Sequence, residues 1–329
     1  MIGTKEWVLL KSSLVQFMKN RLLNFAQEVA HANYQNQKDI TSNLPPYYII
    51  EPTNYCNYAC RICPNRFYKD SEKGFMDFGL FSKILEQIKD VAEVIQLYWL
   101  GEPLLHPQII MMIEACKAKT HAKVMISTNG SLLSEEFAKK LVDARLDKLI
   151  VSMDAAASNE IYQSIRCNGN IELLNNNVSN LLKYASTLDI TLQFILTFEN
   201  QCEKEAFIKK WENKGVKISI QCLYTWANQM PELKKMSDYL SPMIAKSRVP
   251  CADLWYKMAI HWDGHVSRCC FDWSFDSCVG DVKKDSVFDV WNSAQMRNLR
   301  KQHCKADYAG ICKNCDAWAT EEEYDTLFD

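Results

Sequence analysis

Three cysteines early in the sequence have the spacing of ligands to a metal centre. Cys56, Cys60 and Cys63 form a C-x3-C-x2-C motif inside the segment Asn54–Pro64. Thiolates are the usual ligands of iron–sulfur clusters, and three of them can hold three corners of a four-iron cubane, which leaves the fourth iron open to a small molecule. Zinc is the alternative, but structural zinc sites take four ligands and no fourth candidate lies nearby. The motif therefore favours a cluster with one open iron.

A second concentration of cysteines lies in the last quarter of the chain, which holds seven of the fourteen. These are Cys251, Cys269, Cys270, Cys278, Cys304, Cys312 and Cys315. In a reducing compartment a disulfide framework is unusual, so metal binding becomes the default explanation for so many thiols. Four cysteines from three segments can hold a complete second cluster. A zinc ribbon is the competing interpretation.

Between the two cysteine groups, short apolar runs alternate with segments of helical periodicity. The predicted strands are Tyr47–Glu51, Val94–Leu100, Lys123–Ser127, Lys148–Met153, Ile190–Leu196 and Val216–Gln221. The predicted helices between them are Phe78–Val91, Gln108–Lys119, Ser134–Ala144, Asn170–Thr187 and Glu203–Gly215. This alternation predicts an α/β fold with a parallel sheet. Because six units are too few for a closed eight-stranded barrel, we expect a partial (β/α)6 TIM-like barrel with its chemistry at the carboxyl ends of the strands.

Polar residues lie at the carboxyl ends of the second, third and fourth predicted strands. They are Gly101 and Glu102, then Thr128 and Asn129, then Ser152 and Asp154, with Arg166 in the segment that follows. Each alone has an ordinary structural explanation, since Asn-Gly is a common turn and an aspartate often caps a helix. Their order after the cysteine motif is what indicates a site.

On these residues the sequence resembles the radical S-adenosylmethionine (radical SAM) superfamily. The resemblance implies that the [4Fe–4S] cluster at Cys56, Cys60 and Cys63 binds S-adenosyl-L-methionine and cleaves it reductively. It implies contacts to this cofactor from Gly101, Glu102, Thr128, Asn129, Ser152, Asp154 and Arg166. In relatives the region of Glu102 contacts the methionine amino group, and the arginine matched by Arg166 pairs with a substrate carboxylate.

The C-terminal cysteines resemble the SPASM/twitch extension of the same superfamily. The resemblance implies one auxiliary [4Fe–4S] cluster, because the further C-x2-C-x5-C run of relatives with two auxiliary clusters is missing. The expected ligands are Cys251, Cys269, Cys312 and Cys315. Cys270 is left out, since adjacent residues on an extended chain point in opposite directions. Cys278 and Cys304 are left over.

The chain is expected to form three parts. Residues 1–44 are predicted to form an amphipathic helical extension that packs on the barrel, 45–240 the barrel, and 241–329 the auxiliary-cluster domain. In the last part, Leu254–Trp262 is predicted to be a strand. Asp263-Gly264, which follows it, predicts a type I′ hairpin turn.

The resemblance also implies the chemistry. Cleavage of S-adenosylmethionine gives a 5′-deoxyadenosyl radical that abstracts a substrate hydrogen atom, and the auxiliary cluster favours oxidation of an alcohol to a ketone in a sugar- or aminocyclitol-like molecule. The alternative is a maturase that crosslinks or epimerises a ribosomal peptide, for which Cys167 or Cys222 is a candidate hydrogen donor. Asp272 is a candidate base for a substrate hydroxyl. The non-enzymatic alternative is a zinc-binding interaction module.

Net charge and composition limit the kinds of partner that we expect for this chain. A net charge of −2 and a pI of about 6.3 indicate no general affinity for nucleic acid or anionic lipid. No apolar run reaches the roughly 20 residues that span a bilayer, and the first residues make a poor signal peptide. We therefore expect a cytoplasmic enzyme with a small-molecule substrate or a precursor peptide, and with flavodoxin or ferredoxin as electron donor.

Overall fold

The computed structural model describes residues 25–185, 187–238, 247–274 and 277–319. The strands in this part of the chain are β1 (Tyr47–Ile50), β2 (Val94–Gln96), β3 (Lys123–Thr128), β4 (Lys148–Ser152), β5 (Asp189–Ile195), β6 (Lys217–Gln221), β7 (Lys257–Ile260), β8 (His265–Ser267) and β9 (Cys278–Asp281). They form one sheet in the order β6-β5-β4-β3-β2-β1-β7-β8-β9. Because β6 and β9 are the two outer strands, the barrel is open.

Strands β1 to β6 run parallel and lie side by side in chain order, which confirms the predicted α/β barrel. All residues of β1 and β2 are buried, as expected of parallel strands covered on both faces. The main difference is β2, which ends at Gln96 rather than at the predicted Leu100. The next four residues leave the sheet and lead to Gly101.

Most of the helices connect successive strands, while α1 precedes β1, and α9 and α10 follow β9. They are residues 25–35 (α1), α2 (Phe78–Ile88), α3 (Ile109–Lys119), α4 (Glu135–Asp143), α5 (Asn159–Ile165), α6 (Ile171–Leu181), α7 (Lys204–Trp211), α8 (Asp253–Tyr256), α9 (Val287–Trp291) and α10 (Ala294–Cys304). Side-chain caps start several of them, for example Ser158 on α5 and Asn170 on α6. The predicted helix over Asn170–Thr187 is therefore α6, and α5 before it was not predicted. None of the helices in the described ranges is both long and apolar enough to cross a membrane.

The C-terminal strands join the barrel through β7, which pairs in parallel with β1, while β8 and β9 follow antiparallel. The predicted strand over Leu254–Trp262 is only partly right, because its first residues form the helical turn α8. The type I′ turn is wrong. That turn needs positive φ at both central residues, and of the two only Gly264 has it, with φ of 86°.

The described part of the N-terminal extension packs on the C-terminal region. The ring of Tyr34 meets that of Trp255 edge-on, with centroids 5.3 Å apart, and the Tyr34 hydroxyl donates to the carbonyl of Pro250 at 3.0 Å. Ala26 and Ala30 are buried. The amphipathic prediction rests on Trp7, Leu10, Leu14, Met18, Leu22, Phe25 and Val29, of which the first five lie outside the described residues. Phe25 is 54% exposed, so Ala26 and Ala30, and not this predicted position, form the buried face of the described part.

Arg300, on α10, is fully buried and joins three parts of the chain. Its guanidinium donates to the carbonyls of Leu254 at 2.8 Å, Asp39 at 3.0 Å and Trp291 at 3.0 Å. Burial lowers the pKa of this group to about 10. A buried cation is tolerated when it is fully hydrogen-bonded, and here backbone carbonyls supply the acceptors.

We expect Arg300→Met to lower the free energy of unfolding by about 3 kcal/mol, because three buried carbonyls lose their donor. Urea unfolding of anaerobically prepared protein measures this. The matched control is Lys301→Met on the same helix, whose exposed ion pair with Asp39 (3.1 Å) should contribute less than about 1 kcal/mol. Equal losses in the two variants would contradict the assigned role of Arg300.

Candidate functional site

The loop that carries the first three cysteines follows β1 and is held by its own asparagines. The Asn65 amide donates to the carbonyl of Asn54 at 2.6 Å, and the Asn54 amide donates to the carbonyl of Glu72 at 2.8 Å. The Asn54 side-chain oxygen accepts from the backbone N–H of Gly74 at 2.9 Å. These bonds fix an irregular loop, in which an isolated β-bridge pairs Thr53 with Phe75.

The three thiols of this loop lie in a buried environment that suits a cluster. Burial raises the pKa of the Cys56 and Cys63 thiols to about 12 and raises that of Cys60 as well. Donors point at the sulfurs, with the backbone N–H of Tyr58 3.5 Å from Cys56 Sγ and Arg166 Nη1 3.7 Å from Cys60 Sγ. Iron coordination deprotonates a thiol and so offsets the effect of burial. The donor set therefore fits a cluster.

Neither cysteine group is arranged around a single ion. Among the described residues, no three His, Cys, Asp or Glu side chains converge as ligands of one metal ion. A four-iron cluster takes each thiolate at a separate iron, so its ligands are spread around a larger centre.

Gly101 brings the end of the second barrel unit against the cysteine loop. A Cβ atom at this position would lie 2.1 Å from the carbonyl oxygen of Thr53, so only glycine allows this approach. The next residue, Glu102, donates its backbone N–H to the carbonyl of Tyr55 at 2.8 Å. The two predicted positions therefore pack directly on the loop that holds the thiols.

Glu102 ties this loop to the end of β3. Its buried carboxylate accepts from the Thr128 hydroxyl at 2.7 Å, the Asn129 backbone N–H at 2.8 Å and the Leu104 backbone N–H at 3.1 Å. Burial raises the pKa of Glu102 to about 7, although the three hydrogen bonds favour the charged carboxylate and lower the pKa. The Asn129 amide in turn lies 4.0 Å from the sulfur of Cys56. Gly101, Glu102, Thr128 and Asn129 are thus brought together beside the first thiols.

Asp154 and Arg166 form a second group on the other side of the loop. Asp154 follows Ser152, the last residue of β4, and has a left-handed φ of 52°. Its carboxylate accepts from Arg166 Nε at 2.6 Å and from the backbone N–H of Ile195 at 2.6 Å. The same guanidinium lies against Cys60. The contacts of Asp154 and Arg166 with a cofactor or substrate stay predictions, as does that of Ser152.

The four C-terminal cysteines that were predicted as ligands line one small enclosed cavity. They are Cys251, Cys269, Cys312 and Cys315. Backbone N–H groups point at two of the sulfurs, from Ala319 to Cys251 at 3.3 Å and from Ala317 to Cys315 at 3.4 Å. Such N–H groups stabilise thiolates, so this donor set also fits a cluster. Cys278 and Cys304 are absent from this lining and bond to backbone carbonyls elsewhere.

Cys270 faces a different space from its neighbour Cys269. It lines a cavity of about 380 Å³ inside the barrel, together with Cys222 and Lys257. Of the three predicted catalytic residues, Cys222 alone is part of this lining. Cys167 lies beside the cysteine loop, where its carbonyl accepts from the N–H of Ala59 at 3.2 Å.

Asp272, the predicted base, is fully buried and does not line the barrel cavity. Its carboxylate lies 3.5 Å from Arg268 Nε and accepts a hydrogen bond from the hydroxyl of Ser277.

Lys257 and Asp253 form an ion pair at 3.2 Å beside the barrel cavity, and the sequence analysis did not identify either residue. The available signal was a lysine within the otherwise apolar run that starts at Leu254.

The different orientations of the paired cysteines give a direct test by iron content. Two [4Fe–4S] clusters correspond to about eight irons per chain. We expect Cys269→Ala to bind about four irons, because it loses a ligand of the auxiliary cluster, and the matched Cys270→Ala to keep about eight. Iron analysis and the visible spectrum of anaerobically reconstituted protein measure this.

Cys60→Ala serves as the second reference and should also bind about four irons, now only at the C-terminal site. A loss of iron in Cys270→Ala equal to that in Cys269→Ala would contradict the assignment of ligands.

Two family models match separate parts of the chain. The Radical SAM superfamily matches residues 50–210, which span most of the barrel. An iron–sulfur cluster-binding domain, SPASM, matches residues 251–316, which contain the four clustered cysteines.

Relatives align with much of the chain. The S-adenosyl-L-methionine-dependent 2-deoxy-scyllo-inosamine dehydrogenase of Niallia circulans is 24% identical over 284 residues, which are 84% of this chain and 95% of that protein. The mycofactocin maturase MftC of Mycobacterium tuberculosis is 24% identical over 302 residues, 80% of this chain and 74% of the maturase. The tungsten-containing aldehyde ferredoxin oxidoreductase cofactor-modifying protein of Pyrococcus furiosus is 30% identical over 179 residues, 52% of this chain and about half (49%) of its own length.

Solved structures share the fold. The crystal structure of BtrN in complex with AdoMet and 2-DOIA has a TM-score of 0.62 at 20% identity and covers 86% of this chain and 98% of BtrN. Streptococcus suis SuiB bound to precursor peptide SuiA has a TM-score of 0.65 at 13% identity, over 91% of this chain and 76% of SuiB. At such identities the likeness shows the fold alone.

The matched domains agree with the geometry of the two cysteine groups. The Radical SAM and SPASM domains imply S-adenosylmethionine and [4Fe–4S] clusters as cofactors. This chain belongs to the radical SAM superfamily and carries a SPASM domain.

Proposed function

We propose that this enzyme oxidises an alcohol of a small sugar- or aminocyclitol-like molecule to a ketone. The observation that carries the proposal is the barrel cavity of about 380 Å³, which borders both cysteine groups. Ile62 in its lining lies between Cys60 and Cys63, and Cys270 follows Cys269. A substrate in this cavity therefore lies between the two proposed cluster sites, as a reaction that uses both requires.

The lining suits a small hydroxylated ring. Aromatic side chains form much of the wall, and they are Tyr98, Trp99, Tyr224, Trp226 and Phe271. The Trp226 indole donates to the carbonyl of Ile62 at 2.9 Å, which fixes this wall against the first cysteine loop. Gln96 and Gln193 add amide groups that can bond to hydroxyls. Small-molecule sites typically combine apolar walls with a few polar groups in this way.

When bound, S-adenosylmethionine and its cluster supply a radical that removes a hydrogen atom from an unactivated C–H bond. The chain itself must hold that bond at a near-attack distance and keep water out, which the aromatic walls favour. Oxidation of an alcohol removes one hydrogen atom, one proton and one electron. The proposed acceptor of the electron is the auxiliary cluster that Cys251, Cys269, Cys312 and Cys315 would hold.

The partners and location follow from this chemistry. A reduced flavodoxin or ferredoxin is the proposed electron donor, because the first cluster needs a low-potential electron for each turnover. The cytoplasm is the proposed location, since reduced thiols and iron–sulfur clusters are maintained there.

Peptide modification is the second candidate. It is supported by the similarity to the maturase MftC and to SuiB, whose structure holds a precursor peptide. The dehydrogenase of Niallia circulans aligns over 95% of its length, however, against 74% for the maturase. This difference favours the small-molecule oxidation.

Deuterium transfer tests the proposal. Reduced, reconstituted enzyme is incubated without oxygen with S-adenosylmethionine and cyclitols or hexoses deuterated at their carbinol carbons, in neutral, anionic and amine-bearing forms. We expect deuterium in 5′-deoxyadenosine and a ketone about three mass units below the deuterated alcohol, which loses one deuterium and one hydrogen; both are measured by mass spectrometry.

Cys60→Ala is the control and should give neither product. The proposal is wrong if no alcohol transfers deuterium while a precursor peptide does so under the same conditions.

A further inference from the structure

Lys257 presents the cationic group of the barrel cavity. It is the first residue of β7, and its side chain is mostly buried, with 18% exposed. Its ammonium lies 3.2 Å from a carboxylate oxygen of Asp253, which is 5% exposed. The helical turn of α8 produces this pairing, because it places residues four apart on one side of the chain.

Asp253 is held on both of its oxygens. One lies beside Lys257, and the other accepts a hydrogen bond from the thiol of Cys270, with a sulfur–oxygen distance of 3.7 Å. Asp253 itself lines the cavity of the four cysteines rather than the barrel cavity. The carboxylate therefore lies behind the lysine as seen from the barrel, and it fixes Lys257 and Cys270 at one corner of the cavity.

Lys257 gives the lining of the barrel cavity a positive charge. Within the described ranges its lining contains no aspartate and no glutamate, and Lys257 is its one charged residue. The remaining polar groups are neutral, namely the amides of Gln96 and Gln193 and the hydroxyls of Tyr98 and Tyr224. An ammonium that faces such a lining donates to oxygen atoms and repels a second ammonium, and the paired Asp253 behind it reduces this repulsion without removing the preference for oxygen.

We propose that Lys257, held by Asp253, is the substrate anchor of this cavity and selects a polyhydroxylated ring with a hydroxyl or an anionic oxygen at this corner rather than an amine. The inference rests on the proposed function and narrows it to sugar- or cyclitol-like substrates without an ammonium group. It separates this chain from an enzyme whose substrate is an aminocyclitol.

Binding of a matched series of hexoses tests the inference without turnover. Glucose, glucuronate and glucosamine share one ring and differ in a charged group, which is a carboxylate at C6 of glucuronate and an ammonium at C2 of glucosamine. Their dissociation constants are measured by equilibrium dialysis against unreduced, reconstituted enzyme with saturating S-adenosylmethionine, at a pH that keeps the amine protonated. We expect wild-type enzyme to bind glucuronate and glucose at least about 10-fold more tightly than glucosamine. Lys257→Met should reduce this preference to less than about 3-fold, while Lys257→Arg should keep it.

The matched control is Lys217→Met. Lys217 also forms a lysine–aspartate pair, with Asp189 at 3.4 Å, but its side chain is 50% exposed and lies outside the cavity lining. This variant should keep the wild-type preference. Iron content of each variant shows that both clusters are present, so that a general loss of structure is recognised.

Three results would overturn the inference. They are glucosamine binding as tightly as glucose, an unchanged preference in Lys257→Met, and no binding by any of the three sugars to wild-type enzyme. Deuterium transfer from an alcohol combined with any of these results would leave the proposed oxidation standing and reject only the anchor. Charge selection combined with deuterium transfer from a precursor peptide and from no alcohol would reject the oxidation and keep the anchor.

Discussion

The parallel pairing of β7 with β1 is the contact on which both cysteine groups depend. The two strands lie in register from Tyr47 opposite Lys257 to Ile50 opposite Ile260. Since parallel strands end at the same edge of a sheet, the loop after β1 and the hairpin after β7 emerge side by side. The first cysteine loop and the Cys269–Cys270 pair thereby both reach the barrel cavity, through Ile62 and Cys270, although they are far apart in sequence.

A buried polar network fixes that edge. Glu51 donates its N–H to the carbonyl of Ile260 at 2.9 Å, and its carboxylate lies 3.3 Å from His261 Nδ1. The other ring nitrogen of His261 lies 2.6 Å from the hydroxyl of Ser267, and the ring of Trp99 stacks on the imidazole with centroids 4.1 Å apart. Buried polar groups are costly unless each has a partner, so the network allows only one relative position of barrel and hairpin.

Local sequence patterns predicted what depends on local physics. The first residues of β1, β3 and β4 are those expected, because each strand contains a continuous apolar run. The first cysteine group followed from its spacing, and the second from the number of cysteines in the last quarter of the chain. The pairing of β7 with β1 was beyond such reasoning, since a buried run indicates that a strand is covered and not which strand lies beside it. The ion pair of Asp154 with Arg166 depends on a left-handed turn, and that of Asp253 with Lys257 on the short helix α8 inside a segment predicted to be extended.

Cys269 and Cys270 line different cavities and Phe271 lines both, so three consecutive residues, each about 3.8 Å from the next between Cα atoms, form part of the wall between the two spaces. Residues in so thin a partition cannot be altered for one side alone, because any backbone shift reaches the other. Engineering of this enzyme toward larger molecules is therefore constrained at this wall. Gln193, on β5, lines the barrel cavity but not the cavity of the four cysteines, so it is a position that can change without altering this shared wall.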